Sequence, residues 1–273
     1  MSTSMAKPIF YYTATERRKA HPAEKGSPAA APYPGGCRQA RTKRHIIKTM
    51  FKGIIFDFNG TLFEDYDQQV AAWDALFRKY FGRGLLPGEF RRSVYGLGNV
   101  DILDYINGLD PEKHFDITFT DEKEQEYRRQ CREDPVKTVL LPGVEETLSA
   151  LKDAAFPMAI ATASEITNVE FYIETFRLER WFSRDLIIYD DRTFPSKPAP
   201  DVYLRAAARL GRDPADCVVC EDSGNGILSA RNAGIGRIIA RRSGPKDAEI
   251  YKDPALYAVI DDFRGFYPKY LED

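Results

Sequence analysis

The chain has 273 residues, 43% of them hydrophobic, and a formal net charge of -2, so it can bury a sizeable core and is not built around nucleic acid. Its apolar runs all fall short of the roughly 18 residues that span a membrane, and no secretion signal is seen. Four cysteines in a chain of this size do not form a disulfide scaffold, and a cytoplasmic location is expected.

Residues 1–49 form a basic extension ahead of the first predicted strand. Residues 1–50 contain ten Lys or Arg and two acids, Glu16 and Glu24, with no sustained apolar period. This composition is typical of disordered chain. An organelle transit peptide, a polybasic tail for anionic partners and a true start at Met50 are all compatible with it.

From Met50 onward, short apolar runs alternate with amphipathic segments. The predicted strands are GIIFDF (53–58), PMAIAT (157–162), DLIIYD (185–190), DCVVCED (216–222), GRIIA (236–240) and YAVID (257–261). Continuous apolar runs fit parallel strands that are covered on both faces. Helices are predicted between them, one with Val144, Leu148 and Leu151 on one face and one that ends at Gly211. The pattern predicts a doubly wound α/β sheet.

One long interruption separates the first predicted strand from the second. Residues 64–138 show helical patterns alone, such as Val70, Trp73, Phe77 and Tyr80 on one face. We therefore expect a helical domain at 67–138, inserted into an α/β core made of 50–66 and 139–273. It should emerge beside the carboxyl end of the first strand.

Polar side chains follow successive strands of the predicted sheet. They are Asp57, Asn59 and Thr61, then Thr162 and Ser164, then Lys197, then Glu221 and Asp222. Taken singly, each has a structural explanation as a turn residue, a helix cap or a surface charge. Because ligands bind at the carboxyl ends of parallel strands, their joint appearance indicates one functional crevice.

Two further motifs resemble binding sites but are better explained without one. Cys217 and Cys220 match the CxxC spacing of redox or zinc sites, but residues three apart in a strand point to opposite faces, so core packing is expected. Gly224 and Gly226 resemble a dinucleotide fingerprint. The carboxylates at 221 and 222 would repel a pyrophosphate there, and the signal is weak.

Four ordered motifs give the chain a resemblance to the haloacid dehalogenase-like superfamily. They are DFNGT (57–61), ATAS (161–164), SKPAPDVY (196–203) and EDSGNGILSARNAG (221–234). The chain most resembles the branch with a helical cap, which includes sugar-phosphate phosphatases and β-phosphoglucomutase-like enzymes. The resemblance implies a phosphatase that acts on a small phosphorylated metabolite.

The resemblance also implies roles for the residues at the strand ends. Asp57 would attack phosphorus and form an aspartyl-phosphate. Asp57, the backbone carbonyl of Asn59 and Asp222 would bind Mg2+, with Glu221 in its outer shell. The phosphate would be held by Thr162, the amide of Ala163, Ser164 and Lys197.

Asn59 departs from the family pattern. Most phosphatases of this kind have Asp at the position two after the nucleophile, where it protonates the leaving oxygen and later activates water. Asn cannot exchange a proton near neutral pH, so the factor of about 10²–10⁴ that acid–base catalysis provides is at risk. A slow enzyme, one restricted to good leaving groups, or one with an acid from Glu64, Asp65 or His114 would follow.

The helical insert is expected to select the substrate. Arg91 and Arg92 precede a turn flanked by Gly96 and Gly98, where a guanidinium would grip a second phosphate or a sugar acid; a solvated helix end is the alternative. Gln69 stands near the position where phosphoglucomutase-like members have His, which makes a mutase less favoured.

Two other functions stay open at this stage. A phosphotransferase of the mutase type differs from a hydrolase in excluding water from the aspartyl-phosphate. A non-catalytic protein that binds Mg2+ and a phosphorylated ligand is permitted by Asn59, whereas Asp57, Thr162, Lys197 and Asp222 argue against it. A monomer without nucleic-acid or membrane partners is expected.

Overall fold

The computed structural model describes residues 51–95, 99–243 and 249–271, without the side chains of 99–101. The basic extension, Gly96 and Gly98 lie outside these residues. Within them, six strands form one sheet: β1 (Gly53–Phe56), β2 (Met158–Glu165), β3 (Ile187–Asp190), β4 (Cys217–Glu221), β5 (Arg237–Arg241) and β6 (Ala258–Ile260). All six coincide with predicted strands.

The sheet is parallel throughout and has the order β3-β2-β1-β4-β5-β6. Ile55 of β1 is paired with Ala159 on one side and with Val219 on the other. The chain crosses over from β3 to β4 at the opposite side of β1, so β1 lies in the centre with strands wound outward from it in both directions. This confirms the predicted doubly wound fold.

The helices that cover the sheet are α5 (Val144–Asp153), α6 (Ile166–Phe176), α7 (Asp201–Leu210) and α8 (Gly224–Asn232). Ile54 and Phe56 belong to a hydrophobic cluster on one face, and Ile55 belongs to a cluster on the other. Burial on both faces explains why the strands are continuous apolar runs. Helix α7 ends at Gly211 with φ 66°, a conformation that favours glycine.

Five helices lie between β1 and β2 in the chain, and the four before α5 are α1 (Tyr66–Phe81), α2 (Glu89–Ser93), α3 (Asn99–Leu109) and α4 (Ile117–Glu133). These four share a hydrophobic cluster that includes Trp73, Phe77 and Phe119. Tyr127 of α4 instead packs into the main hydrophobic cluster of the sheet, so α4 contributes side chains both to that cluster and to the cluster of the inserted helices.

Among the described residues, none of the helices combines the length and the apolar character needed to cross a bilayer.

Candidate active site

Asp57 follows β1 directly, and its side chain is held between a cation and a hydroxyl. The Nζ of Lys197 donates to Asp57 Oδ1 over 2.7 Å, and the hydroxyl of Thr61 donates to Oδ2 over 3.1 Å. Lys197 Nζ also donates to Glu221 Oε1 over 2.7 Å. The side chains of Asp57, Lys197 and Glu221 are at most 8% exposed, so the lysine bridges two carboxylates away from bulk water.

The electrostatics of this group are those of buried and crowded charges. Burial raises the pKa of Asp57 to about 7, with Lys197 opposing and Glu221 adding to the effect. Burial, Glu221 and Asp57 raise the pKa of Asp222 well above its usual range. Although burial disfavours the charge of Lys197, Asp57 and Glu221 outweigh it and keep the pKa of Lys197 well above its usual range. The single positive charge of Lys197 therefore cannot balance Asp57, Glu221 and Asp222 when all three carboxylates are ionised.

Asp57, Glu221 and Asp222 form a cluster in which one oxygen from each lies within 4.8 Å of the others. Glycines make this approach possible. Gly60 has φ +74°, and a Cβ there would lie 2.0 Å from Asp222 Oδ2. A Cβ on Gly226 would lie 1.6 Å from Glu221 Oε1. Three buried carboxylates offer hard oxygen donors, which suits Mg2+.

Asn59 is held by hydrogen bonds on both ends of its amide. Its Nδ2 donates to Asp65 Oδ2 over 2.7 Å and to the hydroxyls of Tyr172 and Tyr127 over 2.9 and 3.2 Å. Its Oδ1 accepts from Ser164 Oγ over 2.9 Å. Because Asp65 accepts and Ser164 donates, the amide has one preferred orientation.

The end of β2 carries Thr162, Ala163 and Ser164. The hydroxyl of Thr162 is buried, accepts from the backbone N–H of Ser164 over 3.1 Å, and lies 3.5 Å from Asn59 Oδ1. Ala163 is exposed. All three line the same pocket as Asp57 and Lys197, so the residues predicted at the ends of β1, β2 and β4 and in the loop after β3 meet at one edge of the sheet.

The pocket encloses about 220 Å³ between this edge and the inserted helices. From the inserted helices it is lined by Asp65, Gln69, Trp73, Phe90, Val94, Tyr95, Ile102, Lys123 and Glu124. Tyr95 follows α2, and its hydroxyl donates to Asp222 Oδ2 over 2.8 Å. The segment that follows α2 therefore contacts the carboxylate cluster directly.

Several residues singled out in the sequence are not among the described residues that line the pocket. Arg91 and Arg92 are absent from its described lining. Glu64 pairs with Arg241 and accepts from Ser243 Oγ over 3.1 Å. His114 is exposed in the loop between α3 and α4. Of the three candidate acids, Asp65 alone is among the described residues that line the pocket.

Sequence reasoning missed the hydroxyls of Tyr95, Tyr127 and Tyr172 and the charged pair of Lys123 and Glu124. Aromatic residues at helical spacing predict core positions, and Tyr127 and Tyr172 do lie in the hydrophobic core. The spacing of Lys123 and Tyr127, four residues apart on α4, was a signal that they share one helix face.

Cys217 and Cys220 pack on opposite faces of the sheet, in different hydrophobic clusters. This confirms the prediction that they are core residues rather than a chelating pair.

A doubly wound parallel sheet with a carboxylate-lined pocket at its strand ends defines an α/β protein with a ligand site in the place usual for such sheets. The sequence model of the haloacid dehalogenase-like hydrolase family matches residues 51–234, and the chain belongs to that family.

Individual relatives agree with this assignment. The chain is 28% identical to protein CbbY of Cupriavidus necator over 78% of this chain and 82% of the relative. It is 26% identical to the phosphorylated carbohydrates phosphatase of Thermotoga maritima over 77% of this chain and 94% of the relative. The crystal structure of a family IA, variant 3 hydrolase from Entamoeba histolytica matches with TM-score 0.71 and 31% identity, covering 81% of this chain and 97% of that one.

Proposed function

We propose that the chain is a Mg2+-dependent phosphohydrolase that acts on a small phosphorylated metabolite, and that residues 67–138, which include almost all of α1 and the whole of α2–α4, act as its cap. The observation that carries the proposal is the position of Asp57, a buried carboxylate bridged by Lys197 to Glu221 at the edge of a pocket. The Thermotoga maritima relative is named as a phosphatase of phosphorylated carbohydrates, which supports a sugar or polyol phosphate as substrate.

Mg2+ fits the residues present. Asp57 and Asp222, with the backbone carbonyl of Asn59, would hold the ion. Glu221 is saturated by Lys197, by Tyr203 and by Ser223, whose N–H donates to Oε2 over 2.6 Å, and would therefore act from outside the inner shell. The raised pKa values of Asp57 and Asp222 are consistent with a site that needs additional positive charge. When bound, Mg2+ neutralises charge on the phosphoryl group.

Each of the chain's own residues would have a separate role in the reaction. A carboxylate oxygen of Asp57 would form the new bond to phosphorus while the ester oxygen–phosphorus bond breaks. Lys197 would keep Asp57 ionised and oriented, and Thr162, Ser164 and the amide of Ala163 would hold the phosphoryl oxygens. Water would then hydrolyse the aspartyl-phosphate and regenerate Asp57.

Asp65 is the group best placed to supply the proton that Asn59 cannot. Its carboxylate is buried, lines the pocket and lies one hydrogen bond from the Asn59 amide. Burial raises its pKa, whereas hydrogen bonds from Gln69, Tyr127 and Asn59 lower it. A proton from Asp65 would reach the leaving oxygen directly or through one water.

The test is Mg2+-dependent phosphate release from aryl, alkyl and sugar phosphates, with products followed by phosphorus NMR. Asp57→Asn should abolish release, and Asp67→Asn, an exposed acid outside the pocket, should not change it. Tight binding of phosphate esters without turnover would instead indicate a non-catalytic protein. An isomeric sugar phosphate in place of inorganic phosphate would indicate a mutase.

The role of Asp65 has its own measurement. Asp65→Asn should reduce turnover of alkyl phosphates by about 10²-fold or more and that of aryl phosphates much less, because aryl leaving groups need little protonation. Asp67→Asn, which alters an exposed acid outside the pocket, is the control. Equal losses on both substrate classes would show that Asp65 is structural.

A further inference from the structure

The end of the pocket away from the sheet is lined by apolar and by polar side chains. The apolar ones include Trp73, Phe90 and Ile102. The polar ones, which hydrogen bonds and an ion pair join into one polar wall, are Gln69, Lys123 and Glu124 from the inserted helices and Asn168 from α6. A substrate bound through its phosphate at the sheet edge would extend its remaining atoms toward these side chains.

Lys123 is a buried cation in the polar wall, with its residue 5% exposed. Its Nζ pairs with Glu124 and donates to Gln69 Oε1 over 3.1 Å. The same Nζ lies 5.4 Å from the centre of the Trp73 ring. Side chains of α1 and α4 thus fix the ammonium group, so it does not move freely to meet a ligand.

Glu124 is fixed from the opposite side. Its Oε2 accepts from Asn168 Nδ2 over 2.6 Å, and Asn168 Oδ1 accepts from Arg128 over 2.6 Å. The carboxylate is therefore tied to α6 of the sheet layer, and the pair of Lys123 and Glu124 presents one donor group and one acceptor group with no net charge.

In the rest of the described pocket lining, acids outnumber cations. Among its described lining residues, the cations are Lys123 and Lys197, and each is paired with carboxylates. A second phosphate or a carboxylate on the substrate would approach Lys123 beside the negative charge of Glu124. A hydroxyl can both accept from Lys123 and donate to Glu124, and so suits the pair.

We propose that the pair of Lys123 and Glu124 is a specificity determinant that selects a neutral, hydroxyl-bearing group at the cap end of the pocket and rejects a second anion there. Resting on the proposed phosphohydrolase function, this assigns the substrate to the monophosphates of polyols or neutral sugars. Glu124 is the repulsive element of the discrimination, and Lys123 is the donor.

The test compares kcat/KM for a hexitol monophosphate, the matching bisphosphate and a phosphorylated sugar acid, with an aryl phosphate as internal standard. Wild type should prefer the monophosphate by at least about 10²-fold. Glu124→Gln, which keeps the size of the side chain and removes its charge, should raise the ratio of bisphosphate to monophosphate kcat/KM by about 10-fold or more. Glu126→Gln lies on the same helix outside the described pocket lining and is the matched control.

The outcomes separate the two proposals. Aryl phosphate turnover with an unchanged ratio in Glu124→Gln would overturn the specificity inference and leave the hydrolase intact. Absence of turnover on any ester would overturn the hydrolase. The same ligands would then be compared by their Kd for the wild-type protein and for Glu124→Gln. A ratio of bisphosphate to monophosphate Kd that is the same in both proteins would overturn the inference as well. If Glu124→Gln fails to fold, a wild-type preference below about 10-fold overturns it.

Discussion

The hydroxyl of Tyr95, which follows α2, donates to Asp222 Oδ2 over 2.8 Å and ties the inserted helices to the carboxylate cluster at the edge of the sheet. Burial and the charge of Asp222 raise the pKa of Tyr95, so the hydroxyl stays protonated and is a donor throughout the usual pH range. This bond engages an oxygen that Mg2+ would use in the proposed function.

Removal of this hydroxyl should favour the ion. In Tyr95→Phe we expect Mg2+ to bind about 3- to 10-fold more tightly, because a hydrogen bond to a charged group contributes about 1.5–3 kcal/mol and only part of it opposes the ion. Calorimetric titration with Mg2+ measures this, and Tyr66→Phe, whose ring packs against that of Tyr95, is the control. Weaker binding in Tyr95→Phe would show that the hydroxyl orients Asp222 for the ion instead.

Asn59→Asp by itself should destabilise the folded protein, although Asp is the residue that the family pattern has at this position. It would place a second carboxylate 2.7 Å from Asp65, and two such groups cannot both ionise at low cost. We expect a loss of about 1–3 kcal/mol in the free energy of unfolding at pH 8. The loss should shrink at pH 5, where a shared proton is more available.

The exchange Asn59→Asp/Asp65→Asn should restore that stability and return the acid to position 59. Urea unfolding of both single variants and the double variant gives the coupling energy between the two positions. Additive effects would contradict the prediction, since they would mean that the two side chains do not interact.

Gly226 and Gly224 offer a matched pair in the first turn of α8. Gly226→Ala should displace Glu221 and with it Lys197, lowering kcat/KM by about 10²-fold through loss of positioning. Gly224→Ala meets only Ile250 Cγ2 at 3.6 Å and should be close to neutral. Steady-state kinetics on an aryl phosphate decide, and equal effects in the two variants would show that crowding of Glu221 is unimportant.

Glu89 stabilises the inserted helices in a pH-dependent way. Arg83 donates to both of its carboxylate oxygens over 2.7 Å, and this pairing, against the effect of burial, lowers the pKa of Glu89 to about 2. Since the folded-state pKa lies below the unfolded value, the contribution is present above about pH 4.5 and is lost as the pH falls toward 2.

Glu89→Gln should therefore cost about 1.5–3 kcal/mol at pH 7 and less at pH 3. Urea unfolding followed by circular dichroism measures the difference, and Glu112→Gln, an exposed acid of the same insert, should show none. A cost that does not change with pH would assign the effect to packing rather than to charge.

Local sequence pattern was enough to predict the sheet and the set of groups at its edge. Apolar runs such as that of β1 are typical of strands covered on both faces in a parallel sheet, and parallel strands end at one edge. Asp57, Thr162, Lys197 and Asp222 had to meet once the strands paired. This follows from local pattern and chain order and needs no knowledge of side-chain packing.

The packing of the inserted helices decides what faces that edge. Phe90 of α2 and Val94, which follows it, line the pocket, whereas Arg91 and Arg92 are absent from its described lining. The phase of so short a helix is set by packing rather than by its own sequence. The contacts of Asn59 with Asp65 and of Tyr95 with Asp222 depend on how the inserted helices dock. Their hydrogen bonds join residues whose side chains carry no periodic signal, so the sequence could name the groups that do chemistry but not the neighbours that tune them.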